Sequence, residues 1–115
     1  MASGTKKEIS TLSPTVTRTS GATVESASAV QTGHFVQVTI EFKNGSSATA
    51  AGMNGFVGTI SGIPLPAGNA IGASYSGGAG LMMLIDPSGG IVLRVIAAQW
   101  NQTAPCTASV LYIAT

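Results

Sequence analysis

The stretch "LMMLIDPSGGIVLRVIAA", residues 81–98, decides the fold class of this chain. It predicts two β-strands joined by an Asp-Pro-Ser-Gly-Gly turn, because Pro is favoured directly after the first residue of a type I turn. A strand with one solvated face alternates apolar and polar residues, since successive side chains point to opposite faces. Both strands of this hairpin are instead apolar on both faces, and only Arg94 interrupts them. We therefore expect both faces of the hairpin to be covered.

The rest of the chain predicts further short strands and no helix of ordinary length, because no window keeps a 3.6-residue apolar period. The strongest strand is "HFVQVTIEF" (34–42), in which every second residue from Val36 to Phe42 is apolar. Other strands are predicted in "LSPTVTRT" (12–19), "ATVESASAVQTGH" (22–34), "GFVGTIS" (55–61), "NAIGASYS" (69–76) and "CTASVLYIAT" (106–115). About eight strands at these spacings predict an all-β antiparallel sandwich, or a jelly-roll-like head. We assign residues 11–115 to this single domain and residues 1–10 to a tail or a junction with a stalk.

Charge is scarce and unevenly placed. Charged residues make up 8% of the chain, against about 25% in an ordinary soluble domain. From Asn44 to the end, only Asp86 and Arg94 carry a formal charge. A net charge of +1 without a basic cluster argues against nucleic acid or an anionic membrane surface as the partner. The sequence contains no apolar run of about 18 residues, so we predict no membrane-spanning segment.

The inventory for catalysis is small. Cys106 is the single cysteine, so we predict no internal disulfide and interpret this residue as a small buried hydrophobe. His34 opens a strand and is predicted to be exposed, and together with Cys106 it forms no metal-ligand set. No nucleophile elbow is present, and nothing favours any pair among Glu25, Glu41 and Asp86 as the two carboxylates of a glycosidase. We therefore predict no enzymatic activity, no metal and no cofactor.

One local cluster suggests saccharide binding. "AAQWNQTAP" (97–105) places Trp100 beside Asn101 and Gln102 in a predicted loop. An indole face packs against the C–H face of a sugar, while amides donate to and accept from its hydroxyls. Asp86 and Arg94 would add charge-assisted hydrogen bonds if they lay at the same rim.

Each of these residues also has a purely structural interpretation. Trp100 would plug the end of the sandwich, and Asp86 would be the first residue of its turn. Arg94, a cation within an apolar strand, would be paired with Asp86 across the hairpin or lie at an interface, because an unpaired buried charge is costly.

A family resemblance rests on "TGHFVQVTIEFK" (32–43) followed by "VGTISGIPLPAG" (57–68). A strand of this alternating type before a Pro-x-Pro turn resembles a stretch found in tailed-phage tail proteins. Together with the scarce charge and the Gly-, Ser- and Thr-rich loops, it makes residues 20–115 similar to the receptor-binding heads of phage tail fibres and baseplates. The similarity is one of general pattern, so it assigns no binding residue of that family to a position in this chain.

The resemblance implies a homotrimeric head that binds host cell-surface saccharide and joins other tail or baseplate proteins through its N-terminal side. Such a protein is made in the bacterial cytoplasm and lies in the virion tail. Packing around a three-fold axis would explain a strand that is apolar on both sides, whereas in a monomer long loops such as residues 44–55 would have to cover it. Two other functions stay open, a structural fibre tip without a ligand and a small polysaccharide-cleaving enzyme.

Overall fold

A computed structural model describes residues 8–115 and contains nine β-strands in that range. Their bounds are Ile9–Leu12 (β1), Thr15–Gly21 (β2), Thr23–Thr32 (β3), Phe35–Lys43 (β4), Asn54–Ser61 (β5), Ala70–Ser76 (β6), Ala79–Ile85 (β7), Gly90–Ala97 (β8) and Pro105–Ile113 (β9). Sheet I has the strand order β1-β3-β4-β9, and sheet II has the order β2-β5-β8-β7-β6. All pairings within the two sheets are antiparallel. The predicted all-β sandwich is confirmed.

The core lies between the two sheets and follows the alternation of the sequence. In β4, Val36, Val38, Ile40 and Phe42 are completely buried, whereas the residues between them face outward. Their register partners in β9 run from Tyr112 to Cys106 and are buried as well. An inward side chain of one strand therefore always lies beside an inward side chain of the next, which is the arrangement that stabilises a half-solvated sheet.

The hairpin 81–98 forms as predicted, with β7 and β8 paired and the turn closed by the Gly89 N–H, which donates to the Asp86 carbonyl over 3.0 Å. Its inward side chains belong to the core, and they are Leu81, Met83, Ile85, Ile91, Leu93 and Val95. Since β7 and β8 lie in the middle of sheet II, their other face points away from the core.

The N-terminal strand differs from its prediction. The segment "LSPTVTRT" contributes to two strands, because the chain leaves sheet I after Leu12 and enters sheet II at Thr15. The break falls at Ser13 and Pro14, where Pro cannot donate to a ladder. Ile9 pairs with Thr32, so sheet I begins inside the stretch that was predicted to be a junction. The earlier part of that junction, residues 1–7, lies outside the described residues.

Besides the shared core, the two sheets contact each other along one border. There β6, the last strand of sheet II, packs antiparallel to β9, the last strand of sheet I. We call this line of contact the seam. Ser74 Oγ donates to the carbonyl of Thr107 over 2.6 Å, and Ser76 Oγ donates to that of Pro105 over 2.5 Å. Gly72 permits this approach, because a Cβ there would lie 2.0 Å from the Ser109 carbonyl oxygen. In the described part of the chain, no helix has the length and apolar character needed to cross a membrane.

Candidate functional site

The outward side of sheet II is apolar and open. Val57, Val92, Leu84 and Ile71 form a row across four strands, because each residue is the register partner of the next. Ile71 is 57% exposed, and the other three are half-buried. The name apolar face is used below for this row together with two further outward side chains, and its members are Val57, Ile71, Met82, Leu84, Val92 and Ile96.

Arg94 lies on the apolar face, between Asn54 and Met82 of the neighbouring strands. Its side chain is exposed, and Nη1 is 3.5 Å from Asn54 Oδ1. The predicted pair with Asp86 is wrong. Met82, the register partner of Arg94, is four residues from Asp86 along β7, which is about 13 Å in an extended strand. A cation that retains contact with water needs no buried partner, and this accounts for its place in an apolar strand.

The Asp86 carboxylate stabilises the turn in which Asp86 itself lies. Its Oδ1 accepts hydrogen bonds from the Ser88 hydroxyl over 2.7 Å and from the backbone N–H groups of Ser88 and Gly90 over 2.9 Å. These hydrogen bonds, with that from the Ser88 hydroxyl the strongest, hold the pKa of Asp86 below its ordinary value. The structural interpretation of Asp86 as a turn residue therefore describes its geometry.

Trp100 is completely buried. Its ring packs against Gly55, where a Cβ would lie 2.7 Å from the indole. Its backbone N–H and carbonyl are both bonded to Thr49 over 2.9 Å. Neither face of the indole is open to a sugar, so the predicted stacking platform is wrong and the structural alternative, a plug at the end of the sandwich, describes its position. The indole Nε1–H has no hydrogen-bond partner among the described residues.

The five predicted site residues do not converge. Asn101 and Gln102 are exposed beside Trp100 at one end of sheet II. Asp86 lies at the other end, since the whole of β8 separates the two loops, about 25 Å for eight extended residues. Arg94 lies between them on the apolar face. No single saccharide unit would touch all of these residues.

Asn44 begins the loop that the sequence predicts at residues 44–55, and the structure buries its side chain. Its Nδ2 donates to the carbonyls of Trp100 and Asn101 over 3.0 and 3.1 Å, and its Oδ1 accepts from the Gly45 N–H over 2.9 Å. Asn44 therefore ties the loop after β4 to the loop before β9. The Asn-Gly dipeptide signals a turn in the sequence, but the bonds that bury Asn44 reach residues more than fifty positions away.

A groove of about 490 Å³ lies at the end of the seam next to the loop before β9. Its polar and aromatic lining comes from Glu41 of β4, Tyr75 and Ser76 of β6, and Thr107 of β9. Tyr75 is 71% exposed, the most of any aromatic side chain in the described range. Glu41 and Thr107 are register partners on the outward side of sheet I. Sequence analysis did not find this groove, because the alternation in β6 does not show that its outward face borders β9.

The remaining reactive side chains lie apart. Cys106 is buried as predicted, and burial raises the pKa of its thiol, which lowers its reactivity. His34 is exposed in the turn before β4. Between residues 8 and 115 no three His, Cys, Asp or Glu side chains come together in a group that could hold a metal ion. No family model matches the sequence, and no curated protein matches it at a significant level.

Proposed function

We propose that this chain is the receptor-binding head of a tailed-phage tail fibre or baseplate protein, which assembles as a homotrimer and attaches to saccharide on the host cell surface. The observation that supports it is the apolar face of sheet II. The resemblance of "TGHFVQVTIEFK" and "VGTISGIPLPAG" to tail proteins supplies the biological setting, the virion tail, and the connection to other tail proteins through the N-terminal side.

The apolar face favours a second copy over the chain's own loops as the cover. Residues 44–53 are bonded to Trp100 and Val95 at the end of sheet II. They leave Ile71 57% and Ile96 52% exposed. Contiguous exposed apolar surface on a small protein marks an interaction site. Burying it against another copy is favourable by roughly 25 cal/mol for each Å² of apolar area removed from water.

The position of Arg94 suits an interface. Its guanidinium can bond to carbonyls of a partner, or reach water, while its stem covers apolar surface. The three-fold symmetry itself comes from the resemblance. A closed ring of identical subunits would cover each apolar face without leaving another exposed.

The burial of Trp100 supports a second candidate, a structural fibre-tip protein that assembles in the same way and binds no ligand. It removes the one aromatic platform that the sequence assigned to sugar binding. The two candidates share the oligomer and differ only in whether the head binds saccharide.

Two measurements test the proposal. Light scattering coupled to size exclusion should give three chain masses at micromolar concentration, and a stable single-chain mass would contradict the proposed assembly. A screen of the purified oligomer on an array of bacterial surface glycans should show binding. An oligomer that binds none of them would replace the adhesive head with the structural fibre tip.

A further inference from the structure

We infer that the groove at the end of the seam is a saccharide subsite, in which Tyr75 packs against one face of a neutral hexose and Glu41 accepts hydrogen bonds from its hydroxyls. This inference rests on the proposed adhesive function and assigns that function a place on the molecule.

Tyr75 supplies the apolar platform that Trp100 does not. Its side chain is 71% exposed, and an aromatic ring with a polar end binds the C–H face of a sugar while the sugar's hydroxyls stay hydrogen-bonded. Phe35, 53% exposed, is the alternative platform. Its register partners are Thr32 and Ile113, so the ring lacks a carboxylate beside it in the sheet.

Glu41 supplies the hydrogen-bond acceptors. Its carboxylate is exposed and contacts Ser26 Oγ at 3.4 Å, a long hydrogen bond. A carboxylate has about four acceptor positions, so most of them remain for neighbouring sugar hydroxyls, to which charge-assisted bonds are strong. Thr107 lies beside Glu41 and adds a hydroxyl. The same carboxylate would repel an acidic sugar, and for this reason we assign a neutral hexose.

The backbone below the groove is fixed by the seam. The hydroxyls of Ser74 and Ser76 hold β6 against the carbonyls of Thr107 and Pro105. The strands that carry Tyr75 and Thr107 are thus held together without a ligand, and preorganisation of the backbone raises affinity. A volume of about 490 Å³ falls within the range of small-molecule sites.

The test compares three variants of the oligomer on the glycan array and in titrations followed by NMR. The NMR probes are methyl α-D-glucopyranoside, methyl β-D-galactopyranoside and N-acetyl-D-glucosamine at millimolar concentrations. We expect the amide signals of Tyr75, Gly77 and Thr107 to shift with at least one probe. Tyr75→Ala should weaken array binding about tenfold or more, whereas Tyr75→Phe keeps the ring and should retain binding. Phe35→Ala, the matched control at the other exposed aromatic residue, should bind like the wild type.

The outcomes separate this site from the function on which it rests. If the wild type binds glycans and Tyr75→Ala binds them equally well, the site is wrong and the adhesive function stands. Equal losses in Tyr75→Ala and Phe35→Ala would also overturn the site. A wild type that binds no glycan overturns both. Thermal unfolding of each variant shows that the fold is kept, which we expect since both side chains are largely exposed.

Discussion

At the scale of single residues, the side chain of Asn44 connects two loops that lie more than fifty positions apart in the sequence. Its amide bonds two carbonyls of the loop before β9 and accepts from its own loop. A buried amide contributes to stability when its hydrogen bonds are made. The carbonyls of Trp100 and Asn101 also accept from the N–H groups of Thr49 and Ala104, so the Asn44 amide is their second donor. The side chain thus adds to the backbone hydrogen bonds between the same two loops, from the Asn44 N–H to the Ala104 carbonyl over 3.0 Å and from the Thr103 N–H to the Gly45 carbonyl over 2.9 Å.

We expect Asn44→Ala to lower the free energy of unfolding by about 1–2 kcal/mol, because the carbonyls of Trp100 and Asn101 each lose one of two donors. Asn101→Ala is the matched control. The Asn101 side chain is exposed, so its loss should change stability by less than about 0.5 kcal/mol. Urea denaturation followed by circular dichroism measures both. Equal stability of Asn44→Ala and the wild type would show that water replaces the amide and that the two loops are held by other contacts.

Prediction from sequence succeeded for residues whose environment is local. The turn role of Asp86 follows from the Pro and Gly residues next to it, and the burial of Cys106 follows from alternation within β9. The environment of Trp100 is set by Gly55, forty-five positions earlier, and that of Asn44 by residues of another loop. No pattern in a single sequence records which distant residues come together, so the site assigned to Trp100 was wrong.

At the scale of elements, the seam is the part of the fold that alternation did not predict. The strands β4 and β9 follow from their apolar alternation, and the hairpin of β7 and β8 follows from two apolar runs with turn residues between them. Sequence analysis treated residues 12–19 as one strand, although Pro14 marks the point where the chain passes from one sheet to the other. The contact of β6 with β9 depends on three small residues, Gly72, Ser74 and Ser76, which in the sequence resemble any other polar strand.

We expect Gly72→Ala to destabilise the protein by about 1–3 kcal/mol, the usual cost of forcing an extra methyl group into a closely packed site. The new Cβ would lie 2.0 Å from a backbone oxygen of β9, so the two strands must move apart. Gly78→Ala, in the turn directly after β6, is the control, because nothing lies within 4 Å of its Cβ position. Thermal unfolding compares them, and an unchanged melting temperature in Gly72→Ala would mean that the seam opens without cost.

At the scale of the whole molecule, the hairpin 81–98 has one face in the core and one face on the open side of sheet II. The sequence predicted that both faces would be covered. Within the single chain the inward face meets this prediction, whereas the outward face is open, and its cover by other copies is the proposal made above. A single sequence shows an excess of apolar residues, but it does not specify which other surface, or how many copies, would bury them.

Substitutions at Leu84 and Leu93 test whether the outward face forms an interface while the inward face forms the core. Leu84 is half-buried on the apolar face, whereas Leu93 is completely buried in the core. Leu84→Lys should give a folded single chain, because a charge in the interface opposes assembly but can reach water in the monomer. Leu93→Lys should unfold the chain, because its charge would be buried without a partner. Light scattering and circular dichroism measure the two results, and a Leu84→Lys variant that stays trimeric would place the interface elsewhere.

The seam also affects which sheet edges are open to the addition of a strand from another chain. Exposed sheet edges are templates for strand addition. At the ends of the two sheets, β6 and β9 pack against each other, and the hydroxyls of Ser74 and Ser76 bond two carbonyls of β9. The other two terminal strands of the described sheets are β1, with four residues, and β2, which follows Pro14 and carries a register shift between Arg18 and Ser20. A short strand, a nearby proline and a bulge all discourage an incoming strand. We therefore expect strand addition to be disfavoured at each of the four terminal strands, although the strands of this chain are rich in apolar residues.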